Sequence, residues 1–189
     1  MTSSKGLQSF TKGQLLDLFS SIDDELRKRE QVVSITVIGG ASLILQDLRD
    51  RSTVDIDIVN RGGGAELFVE LCADRNVPVD VVSVLTTIDF NQTQTIRVFD
   101  GIFLKVDSIL AEDIIRSKLE RFRKQDPEDI YVVIGKTKLS YDCFKSIIQE
   151  MLVDYIGNTR ELWLSAMIVV EEMYPERAAD FAETQKSLR

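Results

Sequence analysis

Hydrophobic positions recur along the 189-residue chain with two different periods, and the change from one to the other divides it. Over residues 12–30, Leu15, Leu18, Ile22 and Leu26 return every three or four positions, which predicts an amphipathic helix. Thr11 suits its N-cap, Gln14 completes a capping box, and Phe10 is placed to staple against Leu15. Residues 33–38 are rich in β-branched side chains and stop at Gly39-Gly40, after which 41–45 turn helical: strand, glycine turn, helix. Residues 54–59 alternate strictly, with Asp55 and Asp57 on one face of a strand and Val54, Ile56 and Ile58 on the other. Gly62, Gly63 and Gly64 open a helix over 65–75, and Pro78 introduces a third strand over 79–85. Strands over 95–99 and 102–106 flank Asp100-Gly101, a tight-hairpin signal.

Beyond residue 107 only helical periodicity remains, over 111–124, 141–155, 160–173 and 175–188, with a short helix begun by Asp126 as N-cap and Pro127 at its first position. In the first of these Ile115, Leu119 and Phe122 form the predicted buried stripe, with Lys118 and Arg121 on a neighbouring face. The fold class read from this order is α+β, a mixed β-sheet with flanking helices followed by a C-terminal helical part. Its divisions are an N-terminal helix packing on the core (1–31), an α/β core (32–110) and a helical region (111–189).

Composition narrows the chemistry. With 44% hydrophobic and 29% charged residues the chain reads as a soluble globular protein. Histidine is absent, which excludes Ser-His-Asp and Cys-His sites, a His general base and the HExxH zinc motif. The formal charge of -8, from 23 basic and 31 acidic residues, argues against a broad phosphate-backbone surface. Cys72 and Cys143 lie far apart within apolar helical patterns and read as small core residues of a reducing, cytoplasmic compartment. Residues 1–10 carry no apolar segment, and the longest apolar-rich stretch, 32–45, is too short and too mixed to span a membrane.

The chemistry concentrates between Gly39 and Asp80. A Gly-Gly turn between a strand and a helix lets backbone N–H groups approach a phosphate, although such pairs more often serve as punctuation. Asp55 and Asp57, side by side on a strand, repel each other unless a cation neutralises them; with oxygen-only ligands Mg²⁺ or Mn²⁺ is the usual solution. An acidic solvent face on an edge strand is the plainer reading of that pair alone. Asp80, between valines, is expensive to bury without a partner, and if its strand lies beside residues 54–59 the three carboxylates meet on one face.

Three motifs together resemble a known family. Val37-Ile38-Gly39-Gly40-Ala41-Ser42, then Arg51-Ser52-Thr53-Val54-Asp55-Ile56-Asp57-Ile58, then Val79-Asp80-Val81 look like the hG(G/S), DhD and hDh motifs of the polymerase-β-like nucleotidyltransferase superfamily. The Arg-x-Thr-x-Asp-Ile-Asp form is especially similar to AbiEii-type abortive-infection proteins and their relatives. Glu112 to Leu119, with Asp126 and Asp129 behind it, resembles the block that follows the sheet in that group. Two departures stand out: Gly40 and Asp55 are fifteen positions apart, at the long end of the family's spacing, and Gly40 occupies a position that many members fill with Ser.

The resemblance implies a nucleotidyltransferase-like fold and a Mg²⁺-dependent transfer of NMP from an NTP to a hydroxyl acceptor. Asp55 and Asp57 would hold the ion carried by the triphosphate. Asp80, with Asp55, would hold a second ion and orient or deprotonate the acceptor. Gly39, Gly40 and Ser42 would cradle the β- and γ-phosphates, and Lys118 would reach the triphosphate as a point charge. The relatives also imply a toxin-antitoxin setting with a cognate antitoxin as protein partner. An RNA acceptor would need a basic groove, for which Arg116, Lys118, Arg121, Arg123 and Lys124 form the one evident cluster. The alternative is a catalytically inactive nucleotide- or protein-binding module of the same fold.

Overall fold

A computed structural model describes residues 9–61, 63–83, 88–90 and 92–187. These residues form two compact units, one lying within 1–83 and 90–110 and the other within 84–89 and 111–189.

The first unit runs α1 (Lys12–Arg29), β1 (Val33–Val37), α2 (Gly39–Leu45), β2 (Ile56–Val59), α3 (Ala65–Ala73), β3 (Val79–Val81), β4 (Thr95–Asp100) and β5 (Leu104–Ile109). The strands make one sheet in the order β3-β2-β1-β5-β4. β1 pairs antiparallel with β2 and parallel with β5, β2 pairs parallel with β3, and β4 pairs antiparallel with β5, so the sheet is mixed as its pattern predicts. One face is apolar: Val33, Ile35 and Val37, Ile56 and Ile58, Leu104 and Val106 pack with Leu15, Phe19, Ile22 and Leu26 of α1 and Phe68, Leu71 and Cys72 of α3. Each such fully buried side chain contributes about 1.5–3 kcal/mol of transfer free energy.

α1 starts where its capping chemistry says: Thr11 and Gln14 form the capping box, and Phe10 and Leu15 are both in the core. Phe19, however, is fully buried where the predicted stripe had Leu18, which lies only partly buried on the stripe's flank. The difference is helical phase: positions 15, 19, 22 and 26 point at the sheet.

β2 begins only at Ile56, and Val54 is exposed rather than on the apolar face, because the chain before it bends instead of extending. β3 is three residues long; positions 84–85 of the strand expected over 79–85, and Gly62 of the glycine run, lie outside the described residues. The hairpin turns at Ile102-Phe103 rather than at Asp100-Gly101: β4 runs through Asp100, which pairs with Lys105, Gly101 N–H donates to Leu104 O at 3.0 Å, and the register shifts between Arg97 and Phe99.

That hairpin is held by a residue with no sequence signal. Asp23, on the inward side of α1, accepts from the N–H groups of Ile102 (3.3 Å), Phe103 (2.7 Å) and Leu104 (2.6 Å). Burial pushes its carboxyl pKa up, but those three bonds and the nearby Arg27 outweigh it and hold the group below its ordinary value.

The second unit is helical: α4 (Ala111–Arg121), α5 (Asp126–Thr137), α6 (Tyr141–Asp154), α7 (Thr159–Met173), a 3-10 turn (Pro175–Arg177) and α8 (Ala178–Ser187). Position 188 of the last expected helix lies outside the described residues. Trp163 is core, stacked on Phe181 with ring centroids 4.2 Å apart, while its neighbour Leu164 is exposed. Cys72 is buried, and burial pushes its thiol up to about 12. Cys143 is exposed on α6, not in the core as its apolar neighbours suggest. Among the described residues no helix is long and apolar enough to cross a membrane.

Asp23→Ala leaves three hairpin N–H groups without their acceptor and is expected to lower the unfolding free energy by about 2–3 kcal/mol in urea titrations. Because the fold lowers this pKa, the stabilisation is complete above the ordinary carboxylate range. The gap between wild type and variant therefore narrows as pH falls through and below that range, and a gap that widens on acidification contradicts the assignment.

Candidate active site

Asp57 of β2 and Asp80 of β3 are register partners in the parallel pair, so their side chains leave the sheet on the same face. Asp55 stands two residues before Asp57, in the bend that leads into β2 rather than in the strand itself. One carboxylate oxygen from each of Asp55, Asp57 and Asp80 lies within 4.8 Å of the other two. Convergence therefore occurs, but not by two-residue strand periodicity alone. Asp80 is also exposed, since β3 is the sheet's edge, so the burial penalty expected for it does not arise. Asp55 and Asp57 are half-buried.

The glycine turn lies against this cluster. Gly39 opens α2 with φ of +61°, and a Cβ at that position would collide with Asp57 Oδ2. The Ile38 N–H donates to the Asp57 carbonyl at 2.9 Å, fixing turn and strand together. Only glycine satisfies both the left-handed backbone and the carboxylate's approach.

Thr53, two residues before Asp55, has no role in the motif pattern and gains one from the fold. It is 8% exposed, and its hydroxyl donates a bifurcated hydrogen bond to the Asp55 carbonyl at 3.0 Å and to Asp55 Oδ1 at 3.2 Å. A Cβ on Gly40 would sit 3.0 Å from Thr53 Oγ1. The spacing Thr-x-Asp was visible in the chain; the fold is what gives it meaning.

Ser42 and Lys118 occupy different surroundings. Ser42 is 0% exposed, its hydroxyl 2.6 Å from Ser108 Oγ, and Gln46 Nε2 donates to Ser42 Oγ, Ser108 Oγ and the Ile109 carbonyl at 3.0, 2.7 and 2.9 Å. This knot ties α2 to β5. Lys118, in the second unit, is 2% exposed and lies within the buried stripe of α4 rather than beside it. Its ammonium donates to Asp129 Oδ2 at 2.6 Å and Asp126 Oδ1 at 3.2 Å. Arg121 also engages Asp126, and the Arg123 N–H donates to it at 2.7 Å. Burial pushes the Asp126 carboxyl up, yet these donors together hold it below its ordinary value. Asp126 is the first helical residue of α5, with Gln125 as N-cap, so Asp126 and Asp129 are ion-pair partners of Lys118 rather than simple capping groups. The basic cluster is likewise engaged: Arg116 pairs with Glu150 and Asp113.

Chemically, three converging carboxylates with no nitrogen or sulfur donor suit a hard divalent cation of the Mg²⁺ or Mn²⁺ kind. A mixed five-stranded sheet with flanking helices, carrying a glycine turn against paired aspartates, defines a nucleotidyltransferase-like protein. The model of one family, described as nucleotidyltransferase of unknown function (DUF6036), matches residues 13–172, and the chain belongs to that family. Searches of curated proteins and of solved structures found no match.

Lys118→Met leaves Asp126 and Asp129 without their buried cation and is expected to destabilise the protein by about 3–5 kcal/mol in urea titrations. Wild-type stability in that variant contradicts the structural role of the ammonium.

Proposed function

We propose that the chain is a divalent-cation-dependent nucleotidyltransferase that moves an NMP group from an NTP to a hydroxyl acceptor, breaking the α–β phosphoanhydride bond and releasing pyrophosphate. The observation that carries this reading is the convergence of Asp55, Asp57 and Asp80 within 4.8 Å. In it, Asp55, Asp57 and Asp80 hold Mg²⁺ or Mn²⁺, and the backbone of Gly39 and Gly40 offers N–H groups to the triphosphate. When bound, the cation supplies charge neutralisation and orientation for in-line displacement at the α-phosphate. Asp80, the most exposed of the three, is assigned the role of orienting the acceptor or taking its proton. Ser42 is assigned to stiffening the α2 turn, since its hydroxyl already has partners. Lys118 is assigned to holding α4 and α5 together.

The acceptor is proposed to be a small-molecule or protein hydroxyl rather than RNA. Arg116, Lys118 and Arg121 are bound by carboxylates of their own unit, which removes most of the candidate basic groove. The likeness of Arg51 to Asp57 to the AbiEii-type motif extends the proposal to a toxin with a cognate antitoxin partner.

A second reading, an inactive nucleotide-binding module, draws on one observation: Ser42 and Lys118, the two side chains expected on the triphosphate, are both buried. Calorimetric titration of NTPs with and without Mg²⁺ separates the two when combined with transfer assays from α-labelled NTP. Metal-dependent binding with transfer is expected; metal-dependent binding without transfer to any acceptor fraction supports the second reading. Absence of metal-dependent binding removes the first.

Asp57→Asn is expected to abolish that metal dependence while leaving the metal-free melting temperature unchanged or raised, because it removes one of three repelling charges. A clear fall in the metal-free melting temperature marks the cluster as a structural network instead.

A further inference from the structure

Asp55 is the one ligand candidate that no strand positions, and the structure supplies something else to position it. Phe10, immediately before the N-cap of α1, forms an isolated antiparallel bridge with Thr53: Phe10 N–H donates to the Thr53 carbonyl at 2.6 Å, and Thr53 N–H to the Phe10 carbonyl at 3.0 Å. Phe10 is itself buried in the core beneath the sheet, so the bridge is anchored at both ends. With its backbone held this way, Thr53 turns its hydroxyl onto both oxygens that define the pose of Asp55, the carbonyl and Oδ1. From the other side the bare backbone of Gly40 leaves room for that hydroxyl and little more. A Cβ at position 40 would press on it from 3.0 Å, so a side chain there would push the hydroxyl from its place by a few tenths of an ångström.

We infer that Thr53 is a positioning residue for the metal site: locked by the Phe10 bridge, it orients the Asp55 carboxylate toward the oxygens of Asp57 and Asp80, and Gly40 is glycine to admit it. This role rests on the proposed binding of a divalent cation by Asp55, Asp57 and Asp80. A hydroxyl held on a ligating carboxylate fixes the lone pair offered to the ion, and loss of such outer partners typically weakens metal binding about 10- to 100-fold.

The test is Mn²⁺ affinity, read by electron paramagnetic resonance of the free ion in titrations of wild type, Thr53→Val and Thr53→Ser, each with a melting curve. Thr53→Val, which keeps the shape and removes the donor, is expected to bind Mn²⁺ about 10-fold or more weakly. Thr53→Ser, which keeps the donor, is expected to bind as wild type does. Gly40→Ala provides a second route to the same bond without touching Thr53, and is expected to weaken Mn²⁺ binding in the same direction; it decides the matter if Thr53→Val loses the fold. Wild-type affinity in a folded Thr53→Val, or in Gly40→Ala where Thr53→Val does not fold, overturns the role of Thr53 while leaving the metal site standing. Failure of the wild type itself to bind Mn²⁺ overturns the metal reading and this inference with it.

Discussion

Like charges do not gather unless something holds them, and three carboxylates within 4.8 Å of one another are the constraint around which the first unit is arranged. Each is held by a different device. Asp80 is placed by strand pairing, through its register with Asp57. Asp57 is placed by β2 and pressed against a left-handed glycine whose missing side chain makes the approach possible. Asp55, in the bend, takes its place from Thr53, which in turn hangs on Phe10. Behind them the apolar faces of β1, β2 and β5 and the buried stripe of α1 provide the rigidity, since a strand that could slip by one residue would turn Asp57 into the core. The cluster is thus costly in the metal-free protein and tolerable because the surrounding packing over-determines it.

Much of this was legible in the chain. β-branched residues before Gly39-Gly40 and the capping box of Thr11 and Gln14 are local signals that survive folding, and the period-two alternation expected over 54–59 holds over 56–59 while the chain bends at Val54 and Asp55. The carboxylate cluster was legible from the combination of the Gly39-Gly40 turn, the Asp55 and Asp57 pair and Asp80, since alternating charge alone is also the pattern of a solvated strand face. What stayed hidden depended on long-range geometry. The phase of α1, which buries Phe19 in place of Leu18, is set by where the sheet lies. Asp23 and Thr53 act on partners 79–81 and 43 positions away in the chain, and nothing around either residue announces it. Asp80 was expected to be buried because valines flank it, yet β3 is an edge, and edge position is a property of topology rather than of composition.

The second unit shows the same limit from the other side. Periodicity sets Lys118 and Arg121 on a face beside the predicted buried stripe, but α5 brings Asp126 and Asp129 over α4, burying the lysine between two carboxylates and leaving Arg121 half-exposed. A charge that reads as a ligand for phosphate is used to join two helices. The absence of histidine fits this economy of groups, because metal-and-carboxylate phosphoryl chemistry requires none. Membership of a nucleotidyltransferase family over residues 13–172 spans both units, so α4 to α7 belong to the family's shared body as much as the sheet does.

If Asp55, Asp57 and Asp80 are ligands of one site, anomalous diffraction from crystals grown with Mn²⁺ will show a manganese peak within coordination distance of an oxygen from each of the three carboxylates, beside the Gly39 turn. A manganese peak elsewhere, or crystals in which the three carboxylates diverge with no ion between them, would contradict the single site.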